Sequence, residues 1–457
     1  MSASRPNILF YFSDQQRADT CGCYGQPLAL TPQLDKMAAE GVLFENAFSP
    51  QPVCGPCRAI FQTGRYATDI GCFRNNLMLP HDVKTLADYL EEAGYETAYV
   101  GKWHLASQGG LPGQPEINHR TTPIPLAYRG GYSGYWRAAD ALEYTSHGYN
   151  GYVFDEENKK RPFQGYRADA ITDFALDFFS QRDKDKPFFM TVSQLEPHHQ
   201  NDRGHYEGPE GSKERFRDCV LPKDLELLGG NAAEEYPDYL GACERLDYNL
   251  GRLIERLKAE GLYEKTIIIC SSDHGSHFST RNHDAHLCGS DDYKRSCHDA
   301  SLHVPLVIRG PGYRGGKRVK DLVSTGSLAK SILAMAGIEA GDKMIGEDLK
   351  DVADGRTEGR ENVVFAQISE SRCGRCIRTE DFTYSVTAPG VDGTKVPSAK
   401  AYADDFLYDL RKDPYQLENL IDDPRYREIK EKLRRRLFTW IEESEGYRPA
   451  YIESCEK

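Results

Sequence analysis

The stretch 54-CGPCRAIFQTGRY-66 gathers residue types that can do chemistry. Cys54 and Cys57 stand at the spacing of a redox dithiol, which works when a helix N-terminus lowers the first thiol's pKa. A second C-x-x-C, Cys373 and Cys376, opens a zinc reading in which four thiolates share one ion. Neither reading accounts for Arg58 or for Thr63-Gly64-Arg65. Elsewhere, Asp14 and Asp273-His274 each follow a short apolar run, Lys102 and His104 lie in GKWHL, His198-His199 in EPHH, and Lys294 in YKRSC. Carboxylate oxygens favour a hard cation such as calcium or magnesium. A single aspartate after a strand is as readily a helix cap, so the case depends on whether the fold brings these residues together.

The elements that would do so alternate. NILFYFS (7–13), VLFENAF (42–48), YETAYVG, KPFFMTVS and TIIICSS (266–272) read as short buried strands. Between them lie helical patterns: LDKMAAE after Thr31-Pro32, the segment after Pro56, VKTLADYLEEAG, ADAITDFALDFFSQR and a long stretch over about 238–260. VPLVIRGPG and STGSLAKSILAMAG continue the alternation. This predicts an α/β fold with a mostly parallel central sheet flanked by helices on both faces. Ligands collect at the carboxyl ends of strands in such sheets, where Asp14 and Asp273-His274 would meet. The chain divides into a catalytic unit over 1–350 and a smaller C-terminal α+β subdomain over 351–457, with short strands and a basic terminal helix. The least regular part, 106–166, carries Tyr128, Tyr132, Tyr135, Trp136, Tyr144, Tyr149 and Tyr152. A sugar-stacking surface and plain packing are both open for that loop.

The bulk numbers exclude other classes. A net charge of −13 over 457 residues argues against a broad nucleic-acid surface. No apolar run reaches membrane-span length. The N-terminal apolar run is too short for a secretory signal, and thirteen cysteines without framework spacing suit a reducing cytoplasm, the expected location.

Cys54-Gly55-Pro56-Cys57-Arg58 followed by Thr63-Gly64-Arg65 resembles the C-x-P-x-R…T-G-R signature of the type I sulfatases. The resemblance extends in order through Asp14, GKWHL, KPFFMTVSQLEPHH, SSDHG, the lysine segment before VPLVIRGPG, and LYDLRKDPYQLENL. It implies an alkaline-phosphatase-like fold and conversion of Cys54 to formylglycine by a maturase. A divalent cation, calcium with magnesium or manganese as alternatives, would be held by Asp14, Gln15, Cys54, Asp273 and His274. Arg58, Lys102 and Lys294 would carry positive charge against the sulfate. His198, with Lys294, would protonate the leaving alcohol, and His104 would act as base. Asn75, Lys102, His198 and Lys294 would bind substrate, with Asn76 competing for the role of Asn75. The family mechanism attacks sulfur with one hydroxyl of the hydrated aldehyde and releases sulfate by deprotonating the other.

Two positions depart from the pattern. Gln15 replaces a second aspartate and removes one negative charge, and His274 stands where others carry asparagine. His277, His283 and His286, downstream of Asp273, are candidates for lining the substrate pocket. The implied activity is hydrolysis of sulfate monoesters, the substrate being a small sulfated carbohydrate. The alternatives are a phosphonate monoester or phosphodiester hydrolase of the same superfamily, or a dithiol redox protein.

Overall fold

The computed structural model describes residues 5–282 and 293–453. Among the described residues, eleven strands form one sheet: β1 (Asn7–Ser13), β2 (Val42–Phe48), β3 (Glu96–Lys102), β4 (Tyr135–Ala139), β5 (Ser146–His147), β6 (Asn150–Asp155), β7 (Lys160–Gln164), β8 (Phe188–Ser193), β9 (Thr266–Ser272), β10 (Leu306–Arg309) and β11 (Lys317–Ser324). Their spatial order is β11-β2-β10-β9-β1-β8-β3-β4-β6-β5, with β7 paired to β6. The block β9-β1-β8-β3-β4 is parallel throughout. β10 runs antiparallel to both neighbours, β9 and β2. Among the described residues no long helix separates β9 from β10, and β10 pairs antiparallel to β9, whereas a parallel pair needs a crossover.

β1 lies at the centre and is buried along its whole length. Strand alternation sends its side chains to two cores. Phe10 and Phe12 face one core, where Phe61 of the helix Cys54–Thr63 meets them edge-on at 5.4 and 5.5 Å. Leu9 and Tyr11 face the other, and Tyr11 donates to the Leu246 carbonyl in the helix Ala232–Ala259 at 2.8 Å. The helix bearing Cys54 is therefore clamped on the strand that ends in Asp14. Its C-terminus explains the Thr-Gly-Arg segment: Gly64 takes a left-handed φ of 65° and its N–H closes on the Ile60 carbonyl at 2.7 Å.

Gly101, one residue before Lys102, has φ of 109°, and a Cβ there would stand 1.9 Å from the Ser193 carbonyl oxygen. Glycine at this position is what lets β3 lie against β8 while delivering Lys102. Gly101→Ala is expected to cost about 2–4 kcal/mol, because backbone strain and a backbone clash add; urea unfolding beside the wild type checks it.

The irregular segment 106–166 is more ordered than the sequence predicts. β4 extends the parallel block, and β5, β6 and β7 add an antiparallel edge. Tyr132, Tyr135 and Trp136 are core residues, at 1, 7 and 0% exposure, so packing accounts for them; Tyr144 and Tyr149 are exposed.

The second sheet comprises β12 (Val363–Ile368), β13 (Gly374–Thr379), β14 (Phe382–Thr387), β15 (Ala401–Asp409) and β16 (Ala450–Tyr451). The helix Arg427–Glu445 lays Leu433, Leu437, Trp440 and Ile441 on it. The helix Leu349–Ala353, which spans residue 350, packs into the first core. The two units touch beside the Cys54 helix: Gln51 Nε2 donates to Ser369 Oγ at 2.8 Å, and Gln367 N–H to the Pro50 carbonyl at 2.9 Å. Among the described residues, no helix is long and apolar enough to cross a membrane.

Candidate active site

Four strands of the parallel block deliver the site. Asp14 follows β1, Lys102 ends β3, His198 lies in the turn after β8, and Asp273-His274 follow β9. Cys54 opens its helix directly beneath them, and its side chain is 1% exposed. Lys294 Nζ donates to Cys54 Sγ at 2.9 Å and meets His198 Nε2 at 2.8 Å. On the other side Cys54 Sγ lies 3.3 Å from both Asp14 Oδ1 and His274 Nε2. Lys102 Nζ and Arg58 Nη2 each donate to Asp14 Oδ2 at 2.9 Å. Arg58 Nε also meets Asp273 Oδ2 at 3.2 Å as an ion pair. Arg58 is fixed further by the Lys102 carbonyl and Ser193 Oγ, at 2.8 and 2.6 Å.

The charges set the protonation states. Burial alone pushes Asp14 up, but Lys102, His198, Arg58 and Lys294 together hold it well below the usual carboxylate range. Asp273 is raised, first by burial and then by the neighbouring Asp14 charge. Burial and Asp14 push the Cys54 thiol up to about 12, against the pull of Lys102 and Lys294. Burial and the adjacent lysines hold His104, His198 and His274 well below the ordinary imidazole value, which favours the neutral ring with one nitrogen lone pair available to an ion or a hydrogen-bond donor.

A divalent cation fits this donor set. Ligand atoms of Asp14, Cys54, Asp273 and His274 lie within 4.8 Å of one another. His274 Nδ1 faces the Gly275 carbonyl at 2.9 Å, which leaves Nε2 as the ligating nitrogen turned inward. Gln15 spends its amide nitrogen on Tyr206 and Ser276 and its backbone N–H on Asp273 Oδ1. Its Oε1 is buried with no hydrogen-bond partner among the described residues, an acceptor an ion would satisfy. Gln15 adopts φ of 72°, strain of the kind that marks functional backbone. Two buried carboxylates repel, and a cation between them removes that repulsion.

The remaining candidates distribute as follows. Asn75 sits beside the helix that opens at Cys54, where its Oδ1 accepts the Gly55 N–H at 2.9 Å. Asn76 turns away with φ of 59°, its carbonyl accepting from Gly109. His104 is held by its N–H to the Asp140 carbonyl at 2.8 Å; its Nδ1 is buried and unpartnered among the described residues. His277 is fully buried. His283 and His286 lie outside the described residues.

Among the described residues, no geometry supports the dithiol or zinc readings. Cys57 points to Ser49 Oγ at 3.6 Å in the first core, and burial raises its pKa as it does that of Cys54. A redox dithiol needs the opposite shift. Cys373 and Cys376 lie in two further hydrophobic clusters.

Sequence reasoning missed Glu143, whose carboxylate lies 3.4 Å from Lys102 Nζ. It also missed the buried pair Arg167–Glu196 at 2.8 Å, which braces the turn carrying His198. Glu370, from the C-terminal unit, accepts the Asn75 N–H and pairs with Arg295 at 2.5 Å. No local motif marks any of the three; each gains its role from a partner distant in sequence.

Comparison with known proteins follows the same lines. A family profile described as Sulfatase matches residues 6–338, and one described as N-sulphoglucosamine sulphohydrolase, C-terminal, matches 291–443. An ulvan-active sulfatase of Formosa agariphila is 30% identical over 454 residues, covering 94% of this chain and 80% of its own. A solved protein in complex with its substrate D-glucosamine-2-N,6-O-disulfate superposes with TM-score 0.76 at 22% identity, covering 98% of this chain and 99% of its own. A phosphonate monoester hydrolase from Silicibacter pomeroyi shares the fold, with TM-score 0.69 at 19% identity and 96% of each chain covered.

Proposed function

The chain belongs to the sulfatase family, and from that premise we propose that it hydrolyses sulfate monoesters of a small carbohydrate, with Cys54 matured to formylglycine and a divalent cation, calcium first, held by Asp14, Gln15, Asp273 and His274. The observation that carries this reading is the meeting at Cys54 of a buried cluster of metal donors with Lys294, Lys102 and Arg58. The carbohydrate assignment is supported by the sulfated-sugar substrates named for the relatives.

The chain's own residues divide the work. Lys294, whose ammonium touches the Cys54 sulfur, stands where sulfate oxygens must lie. Lys102 and Arg58 fix Asp14 as a charged donor and add positive potential among buried groups, where charge stabilisation is stronger than in water. His198 can take a proton and pass it to the departing alcohol, because its Nδ1 faces the His199 carbonyl at 2.5 Å and its Nε2 meets the Lys294 ammonium. His104, whose Nδ1 is buried and unpartnered among the described residues, is the candidate base. The matured side chain supplies two hydroxyls on one carbon, one to attack sulfur and one through which sulfate is released. A divalent cation held by Asp14, Gln15, Asp273 and His274 would supply positive charge against the charge that develops on oxygen.

Paired kinetics test the reaction. Matured enzyme is expected to show a higher kcat/KM for 4-nitrophenyl sulfate than for 4-nitrophenyl phenylphosphonate; the reverse order, at equal formylglycine content, would assign the chain to phosphonate ester hydrolysis. Metal addition tests the donor set independently of turnover. Calcium at 100-fold its Kd is expected to stabilise the metal-free protein by about 2.7 kcal/mol, read as a rise in thermal midpoint. Asp273→Asn should lose most of that rise.

A further inference from the structure

Three consecutive residues of the C-terminal unit, Ser369, Glu370 and Ser371, tie together segments of the catalytic unit that are far apart in sequence. They form the loop that follows β12. Ser369 Oγ accepts from Gln51 Nε2 at 2.8 Å and donates to the Phe73 carbonyl. Ser371 Oγ donates to the Arg295 carbonyl at 2.9 Å. Between them, one carboxylate oxygen of Glu370 accepts the Asn75 N–H and the other accepts from Arg295 Nε at 2.5 Å. Both partners stand next to the chemistry. Asn75 Oδ1 accepts the N–H of Gly55, the neighbour of Cys54, at 2.9 Å. Val53, at the N-cap of that helix, makes no side-chain cap bond among the described residues, so Asn75 satisfies an orphan donor from outside. Arg295 directly follows Lys294, whose ammonium touches Cys54 Sγ and His198. Glu370 therefore links the turn that opens at Cys54 to the segment that carries Lys294.

An exposed ion pair between two units would carry no such meaning, since most contribute little. This pair is largely enclosed, with the Arg295 and Glu370 side chains 19 and 14% exposed. It is also held under strain. Glu370 has φ of 64°, a left-handed conformation that a non-glycine residue adopts at an energetic cost, and its N–H bonds the Gly393 carbonyl at 3.2 Å. We propose that Glu370 is a positioning residue through which the C-terminal unit sets Lys294 against the Cys54 turn, so that both units complete the catalytic geometry. The inference rests on the sulfatase reading above, in which Lys294 bears on the sulfate. A lysine ammonium rides on a flexible four-carbon stem, so its placement depends on the backbone beneath it. Misplacing a reacting group by about 1 Å can cost roughly 10²-fold in rate.

The test uses full-length enzyme at equal formylglycine content, with kcat on 4-nitrophenyl sulfate and the thermal midpoint both measured. Glu370→Gly removes the carboxylate and relieves the backbone strain, so it separates position from fold. It is expected to lower kcat by about tenfold or more while the protein stays folded at the assay temperature. Glu370→Gln keeps an acceptor for the Asn75 N–H without the ion pair, and its kcat should fall between the two; it carries the test if the glycine variant does not fold. Glu370→Gly and Arg295→Ala together should lower kcat by less than the product of their separate fold-changes, because each breaks the same link. A lower thermal midpoint with unchanged kcat in both Glu370 variants would overturn the proposal in favour of a structural role, leaving the sulfatase reading intact. Fold-changes that simply multiply would also overturn it, since Glu370 would then not act through Arg295. A matured wild type that hydrolyses no sulfate ester would overturn both.

Discussion

Cys54→Ala is expected to reduce hydrolysis of 4-nitrophenyl sulfate to background, a loss on the order of 10⁶ in kcat if the side chain is the sole nucleophile. The protein should still fold, since the thiol is one small buried group whose removal leaves the Phe61 clamp on Phe10 and Phe12 in place. Cys57→Ala provides the contrast. Cys57 touches Ser49 and lies in the first core, so its loss should cost stability and leave most turnover. A dithiol enzyme would lose activity in both. The open question about CGPC thus reduces to whether the two cysteines behave alike, and the geometry predicts that they do not.

Asp14→Asn is expected to have the second largest effect, on activity and stability together. Asp14 is the common partner of Lys102 and Arg58 and faces His274 and His198 at 3.6 and 3.9 Å. Removing its charge leaves buried cations under-compensated, which costs about 3 kcal/mol or more. Arg58 retains Asp273 and Lys102 retains Glu143, so the cost should fall toward the low end of that range. The pH dependence has a definite sign. Asp14 is held below its unfolded pKa, so its contribution is complete above about pH 4, the unfolded aspartate value, and disappears as pH falls through the depressed folded value. The stability gap between wild type and variant, from urea unfolding, should therefore be full at pH 7 and shrink below about pH 4. The variant should also lose the calcium-induced rise in thermal midpoint.

Much of this arrangement is legible in the sequence because the site is built on strand ends. A short apolar run followed by an acid, twice over, marks two strands of a mostly parallel sheet whose ends would present Asp14 and Asp273, and the structure makes them neighbours, β1 and β9 pairing in register from Asn7–Thr266 to Ser13–Ser272. Cys54, Arg58, Lys102, His198 and Lys294 come from ordered motifs, and the fold brings their side chains to one place around Asp14 and Cys54. The residues that hold them do not announce themselves. Glu143 lies in a short helix within the stretch read as irregular loop, and Arg167 acts through Glu196 and through Gln200, which donates to the Glu143 carbonyl. Asn75 lies beside the helix that opens at Cys54, and its oxygen accepts the Gly55 N–H, a contact the sequence does not announce. The aromatic loop misleads because burial, not ring content, decides between stacking surface and core, and Tyr132 and Trp136 are buried by β3 and its neighbours. The reversal of β10 is invisible for a similar reason: strand direction depends on the path of the connection, which apolar periodicity does not encode.

The central claim is that Cys54 is the precursor of the nucleophile. The most direct measurement is the mass of the proteolytic peptide carrying residues 54–58, taken from protein co-expressed with a formylglycine-generating maturase. The account predicts a peptide in which the cysteine has become an aldehyde, reactive toward a hydrazide probe, in a sample that hydrolyses aryl sulfate. An unmodified thiol at Cys54 in protein that nevertheless turns over sulfate esters would contradict it.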